Sequence, residues 1–296
     1  MNTLAIQQIR RFNRTVAEGI GALDDRFLGR DRPLGEARLL WEIGPDGAEI
    51  RTLRARLGLD SGYASRLLRS LQRQRLARVR VDPADRRVRR ALLTNAGLAE
   101  RAELDRRSDD LALRILEPLN ERQRETLVAA MTEVERLLQA SMMRFAVEDP
   151  GTPDARWCFE QYFAELEKRF DGGFDPARSN PLDARELRPP NGVLLIARLR
   201  EMPIGCGALQ FHQDAPAVLK RMWIAPSARG LGAGRRMLQE LEQYAREAGV
   251  AVLRLDTNRN LTEAIALYRR LGYVEIDNFN NEPYAHYWFE KRLAVK

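Results

Sequence analysis

The seven residues Arg229-Gly230-Leu231-Gly232-Ala233-Gly234-Arg235 place three glycines between a strand-like run, Val218 to Ile224, and the start of an amphipathic helix. Glycine lets the backbone approach a ligand closely, and a helix N-terminus turns unpaired N–H groups and a positive dipole toward an anion. Such a junction can cradle a pyrophosphate, or it can be no more than a tight turn. Two common nucleotide signatures do not fit: no Gly-Lys-Ser/Thr closes the loop, and no G-x-G-x-x-G reads through Gly230 to Gly234. A second stretch points to phosphates of another kind. Ser61 to Arg90 holds ten Arg and two Asp, which is either a phosphate-contacting surface or a solvated charged face. A third, Asn278 to Glu290, is rich in polar and aromatic side chains and could line a pocket for a small polar amine.

The elements that must position these residues follow from apolar periodicity. Helices are predicted at 3–23 and 34–43, then a short helix at 49–57 ending at Gly58, then one at 61–74 with Asp60 or Ser61 as N-cap. Residues 76–93 alternate about the turn Asp82-Pro83-Ala84-Asp85-Arg86-Arg87 and predict a β-hairpin with a basic tip. Two long helices at 95–116 and 120–143 follow, and Leu127, Met131, Val134, Leu137 and Leu138 leave more apolar surface than one small domain covers. Two prolines and a glycine between Glu148 and Asp154 predict a short, stiff connector. Beyond it come a helix at 155–170, strands at 192–199, 203–211, 218–224 and 250–257, a helix from Ala264 that ends by Tyr273, and a terminal strand through Trp288 and Phe289. The expected organisation is therefore a first domain at 1–147, a linker at 148–154 and a second domain at 155–296.

A chain of 296 residues accommodates two domains of about 100 to 200 residues each. Of its 49 basic and 42 acidic residues, positions 1–148 hold 28 Arg, no Lys and 22 Asp plus Glu, so nearly all the positive excess is N-terminal. Cys158 and Cys206 cannot build a disulfide framework, and neither has a metal-ligand spacing with His212 or His286; no metal and a reducing cytoplasm are expected. No apolar run approaches the roughly 18 residues of a membrane span, and the N-terminus lacks an export pattern, so a soluble, unexported chain is expected.

The pattern Arg/Gln-x-x-Gly-x-Gly/Ala, met by Arg229, Gly232 and Gly234, resembles the acetyl-CoA signature of the GNAT acetyltransferase superfamily. Ala264 to Tyr273 is similar to that family's next helix and its ending. The resemblance implies an α/β fold with a mixed central sheet flanked by helices, and acetyl-CoA as cofactor. Its pyrophosphate would lie on Gly230, Leu231, Gly232, Ala233, Gly234 and Arg235, and its pantetheine arm along the main chain of Met222, Trp223 and Ile224. Tyr268 matches the tyrosine that protonates the departing thiolate; alone on an amphipathic helix it would more often be core. A family Asn is replaced here by Leu261, with Asn258 and Asn260 as substitutes or as turn residues. The strand position that often carries a catalytic Glu is Val218, which leaves water, Glu282, His286 or Asp277 to take the amine's proton. Tyr162, Tyr284 and His286 are candidates to meet the acceptor, each with a purely structural alternative.

The short helix, glycine turn, second helix and basic hairpin make a winged helix-turn-helix, and the hairpin tip with Leu93-Thr94-Asn95-Ala96-Gly97 resembles the MarR regulator family over roughly residues 3–145. That resemblance implies double-stranded DNA as partner. Ser61, Ser65, Arg66 and Arg69 would enter the major groove and Arg86 or Arg87 the minor groove, with Asp85 bracing the wing. It also implies a homodimer through the terminal helices. Together the two resemblances describe a multidomain α+β protein that couples transcription regulation to acetylation of a small primary amine or amino acid. The alternative is an acetyl-CoA sensor that binds cofactor without significant catalysis.

Overall fold

The computed structural model describes residues 3–82, 85–213 and 215–294. Its contacts divide the chain into two compact units, Met1–Thr132 and Glu133–Lys296.

The first unit runs α1 (Thr3–Gly19), a 3-10 turn, α2 (Leu34–Ile43), β1 (Ala48–Glu49), α3 (Ile50–Leu57), α4 (Ser61–Arg73), β2 (Ala77–Val81), β3 (Arg89–Leu93), α5 (Asn95–Leu116) and the start of α6 (Glu121–Met142). Gly58 closes α3 in the left-handed region at φ +62°, and the Asp60 carboxylate caps α4 by accepting from the Tyr63 N–H at 2.9 Å. These two caps fix the turn between the helices. α4 then buries Ala64, Leu67, Leu68 and Leu71, one face at helical spacing, against Leu39, Leu40 and Ile43 of α2 and Leu53 of α3. The three strands pair antiparallel in the order β1-β3-β2. Gly97 allows α5 to start directly under the wing: a Cβ there would stand 2.0 Å from the Leu76 carbonyl oxygen. Pro83 and Ala84 of the predicted wing turn lie outside the described residues. Trp41 of α2 is 41% exposed and donates through Nε1 to Asp105 at 2.7 Å.

The second unit is a seven-stranded mixed sheet among the described residues, in the order β4-β5-β6-β7-β8-β10-β9. Its strands are β4 (Met143–Val147), β5 (Gly192–Leu199), β6 (Met202–Gln210), β7 (Ala217–Ile224), β8 (Val252–Thr257), β9 (Val274–Ile276) and β10 (Tyr287–Arg292). Its helices are α7 (Pro153–Arg169), α8 (Ala233–Glu247) and α9 (Thr262–Arg270). Val193 to Ala197 is buried on both faces because helices cover both sides of the sheet. Among the described residues, no helix is long and apolar enough to cross a membrane.

Two sequence expectations differ here. Residues 143–147 leave the helical path and pair with Leu195–Leu199 as an edge strand. Residues 148–154 are built into the second unit: the Glu148 N–H donates to Leu194 O at 2.9 Å, Asp149 pairs with Arg188 at 2.6 Å, and Thr152 caps α7. Glu148 and Asp154 both pair with Arg198 on β5. The division between units falls at Thr132 and Glu133, inside α6.

Candidate active site

All neighbouring strands of the sheet are antiparallel except β7 and β8, which run parallel and pair only at Ala217–Leu253 and Val218–Arg254. Beyond that point the two strands separate, so the edge of β7 from Leu219 to Ile224 that faces away from β6 has no strand partner among the described residues. Unpaired strand edges offer their N–H and C=O groups to an extended ligand. β7 also carries a bulge: Arg221 sits at φ +50°, and the pairing with β6 shifts between Cys206 and Ala208.

The glycine loop follows β7 directly. Gly230 and Gly232 lie at φ +78° and +80°, and a Cβ at either would meet nothing within 4 Å, so conformation rather than space requires glycine there. Gly232 is the N-cap of α8 and offers no side-chain cap. The first bond of the helix, Arg236 N–H to Gly232 O at 3.0 Å, leaves the N–H groups of Ala233, Gly234 and Arg235 without an intrahelical acceptor. These groups fit a pyrophosphate, and the free edge of β7 fits a pantetheine arm. Arg229 points elsewhere: it pairs with Glu165 of α7 at 2.7 Å and donates to Ile224 O at 3.2 Å, tying the loop to the strand end. Glu165 also accepts from Trp223 Nε1 at 2.8 Å and from Arg169. Burial raises its pKa, but these donors outweigh burial and hold it below the usual carboxylate value.

A cavity of about 260 Å³ opens at the separation of β7 and β8. Tyr268, Met222, Tyr162, Tyr284, Asn258 and Glu282 are among its walls. Tyr268 is buried against Tyr273 and Phe289, and its hydroxyl meets Met222 Sδ at 3.8 Å, a weak acceptor that leaves the proton available. Burial, and then the Asp256 carboxylate, push its pKa above the ordinary phenol value, so it is protonated at neutral pH. The same two causes raise Tyr162. Asp256 is held by Lys220 Nζ and Asn280 Nδ2, each at 2.7 Å. Glu282 is buried, and accepts from Asn180 N–H at 2.8 Å and Ser179 Oγ at 3.1 Å.

The remaining sequence candidates are placed differently. His286 and Asp277 are exposed and line no part of this cavity; the His286 N–H continues the β8–β10 ladder to Thr257 O at 2.9 Å. Both Asn side chains are consumed internally. Asn258 donates to Tyr284 O at 2.8 Å and accepts from the Asn260 N–H, while Asn260 donates to Arg169 O at 2.7 Å. They brace a turn, the second of the two readings open in the sequence. Val218 is buried core, with no titratable group to offer. Sequence reasoning passed over Arg221 and Asp256 on the cavity wall; only the structure shows the bulge and the strand separation that bring them there.

In the first unit, Ser61, Ser65, Arg66 and Arg69 are exposed along one side of α4, opposite its buried face. Arg66 lies over the Tyr63 ring at 5.5 Å and Arg69 Nε donates to Ser65 O at 3.2 Å. Arg86 and Arg87 are exposed at the wing, where the Asp85 carboxylate accepts from the Arg87 N–H at 2.9 Å and so braces the turn through its backbone.

Comparison with known proteins matches residues 157–273 to the Acetyltransferase (GNAT) family and residues 29–88 to the MarR family. The IAA acetyltransferase of Azospirillum brasilense is 38% identical over 126 residues, covering 42% of this chain and 80% of that protein. The N-alpha-acetyltransferase RimI of Mycobacterium tuberculosis is 31% identical over 126 residues, 42% of this chain and 74% of that protein. Among solved structures, an acetyltransferase of the GNAT family from Staphylococcus aureus Mu50 aligns with a TM-score of 0.45 at 15% identity, covering 51% of this chain and 99% of that one. The chain thus belongs to the GNAT acetyltransferase family, carries ahead of that domain a segment that matches the MarR family, and is an acetyltransferase.

Proposed function

We propose that the second unit acetylates a small primary amine or amino acid in a direct transfer, and that the first unit binds double-stranded DNA as a homodimer. The observation that carries the first half is one cavity holding the Tyr268 hydroxyl, the unpaired edge of β7 and the buried carboxylate of Glu282. When bound, acetyl-CoA would supply the acetyl group and yield free coenzyme A thiol. The backbone of Gly230 to Arg235 would hold its pyrophosphate, and the main chain of Met222 to Ile224 would align its arm. Trp223 contributes backbone only, because its ring is packed edge-on to Trp157 at 5.8 Å. The acceptor ammonium loses two protons in becoming an amide: one leaves to solvent by way of Glu282, and one is matched by the proton Tyr268 delivers to sulfur. Tyr162 and Tyr284 bound the acceptor side of the cavity.

On the DNA side, Ser61, Ser65, Arg66 and Arg69 face the major groove and Arg86 or Arg87 the minor groove. The homodimer rests on apolar residues that the chain leaves exposed: Leu4, Ile9, Phe12 and Val16 of α1, Leu113 of α5 and Val128 and Met131 of α6. Release of coenzyme A thiol, followed across a panel of primary amines with wild type and Glu282→Gln, tests the catalytic half. Turnover with at least one amine, reduced in the variant, is expected; no release above hydrolysis with any amine overturns it.

A further inference from the structure

Lys220 and Arg221 are the two cations on the cavity wall among the described residues. Lys220 is paired with Asp256, and of the cations on α7 and the glycine loop Arg169 pairs with Glu263 and the exposed Arg229 with Glu165. Arg221, displaced toward α7 by the β7 bulge, has no carboxylate within 4 Å among the described residues. Its guanidinium lies over the rings of Phe159 at 4.6 Å and Phe163 at 5.4 Å, and among the described residues its one hydrogen bond goes to Leu182 O at 3.2 Å. A guanidinium has five N–H donors in a planar fork that suits a carboxylate. Burial works against its charge and lowers its pKa, a cost that an incoming anion would offset.

The same cavity holds the complementary defect. Glu282 is buried and takes only neutral donors, with no cation within 4 Å among the described residues. Between these unpaired charges the wall is aromatic: Phe163 stacks on Phe174 at 5.7 Å, and Phe174 meets Tyr284 at 4.9 Å. A free cation, a free anion and an apolar wall in about 260 Å³ match one chemical class.

We infer that the acceptor is a free α-amino acid with an apolar or aromatic side chain, its carboxylate held by the fork of Arg221, its amino group by Glu282 and its side chain by the Phe163–Phe174–Tyr284 wall. This rests on the acetyltransferase reading of the same cavity. A plain amine leaves Arg221 unpaired, a polyamine places a second cation beside it, and the N-terminus of a protein has no α-carboxylate to offer.

The test compares L-phenylalanine with 2-phenylethylamine, which differ only in the carboxylate, using the full-length protein. Binding is read by calorimetry with coenzyme A present, and transfer by thiol release. Wild type should favour phenylalanine, and Arg221→Met should weaken phenylalanine binding about 100-fold, the usual consequence of removing one partner of a buried charge pair. Phenylethylamine should change by no more than about 3-fold, since it never used the fork. Arg221→Lys keeps the charge without the fork and should recover part of the loss. Equal binding of the two compounds to wild type, or no binding of phenylalanine, overturns the inference even if other amines are acetylated. Carboxylate-dependent binding that is lost in Arg221→Met without thiol release would uphold it while overturning the catalytic proposal.

Discussion

Replacing Gly232 by alanine perturbs the cofactor loop with the fewest side effects. At φ +80°, with no atom within 4 Å of a new Cβ, the alanine is opposed by backbone conformation alone. Holding an L-residue in the left-handed region costs about 1–2 kcal/mol. On a unit of this size that lowers Tm by roughly 2–8 °C. If the loop relieves the strain by rotating the peptide after residue 232, an N–H group turns away from the pyrophosphate. Each such bond to a charged group is worth about 1.5–3 kcal/mol, or roughly 10- to 150-fold in Kd. Gly234→Ala is the matched control, because residue 234 is not left-handed and its methyl would rest 3.4 Å from Leu267 Cδ2, an ordinary contact on the α9 side. Calorimetric titration of acetyl-CoA should therefore show Gly232→Ala binding at least about 10-fold more weakly, with Gly234→Ala close to wild type. Unchanged affinity in a folded Gly232→Ala protein refutes the reasoning.

Tyr268→Phe keeps the ring and removes the proton, so kcat should fall by about 100-fold while cofactor affinity is nearly kept; wild-type turnover would assign the proton to another donor. Tyr162, Tyr268 and Tyr273 are all raised by burial first. Their folded pKa values exceed the unfolded value near 10, so their contribution to stability is fully present below about pH 10 and is lost as pH rises past it. Denaturant unfolding of the second unit at pH 8 and pH 11 should show that loss, and equal stability at both would contradict it. Affinity for duplex DNA should fall as salt rises, with a log–log slope of about −0.9 per phosphate neutralised. Arg87→Ala should make that slope shallower and Arg66→Ala should relax sequence preference, whereas a dimer with no salt-sensitive binding to any duplex would remove the DNA assignment.

What the sequence made legible was local. α4 was readable because its caps, Gly58 and Asp60, and its buried face, Ala64, Leu67, Leu68 and Leu71, are encoded within a few turns of chain. The glycine loop was readable because left-handed backbone at Gly230 and Gly232 demands a particular residue type. β4 was not: Met143 to Val147 continue from α6 without glycine or proline, and they become a strand only because β5, some fifty residues on, offers an edge. Arg221 was hidden for the same reason, since its bulge arises from the register between β6 and β7. His286 failed as a pocket residue because it sits just ahead of β10, where the sequence does not say which side meets the cavity, and the two Asn side chains because a turn and a ligand compete for the same amide.

The absence of a loop at the boundary has a practical side for anyone dividing this chain. A fragment cut where the GNAT family match begins, at residue 157, would discard β4 together with the Thr152 cap and most of the Arg198 cluster. It would bare the edge of β5, whose residues Val193 to Ala197 are fully enclosed in the intact chain. An exposed apolar edge of that kind pairs with the next molecule's, so such a fragment should precipitate or form sheet-paired oligomers. A cut at Glu133 would carry the last turns of α6 and the whole sheet with it, at the expense of severing a continuous helix. The acetyltransferase domain therefore begins, structurally, well ahead of the residue where its family match begins.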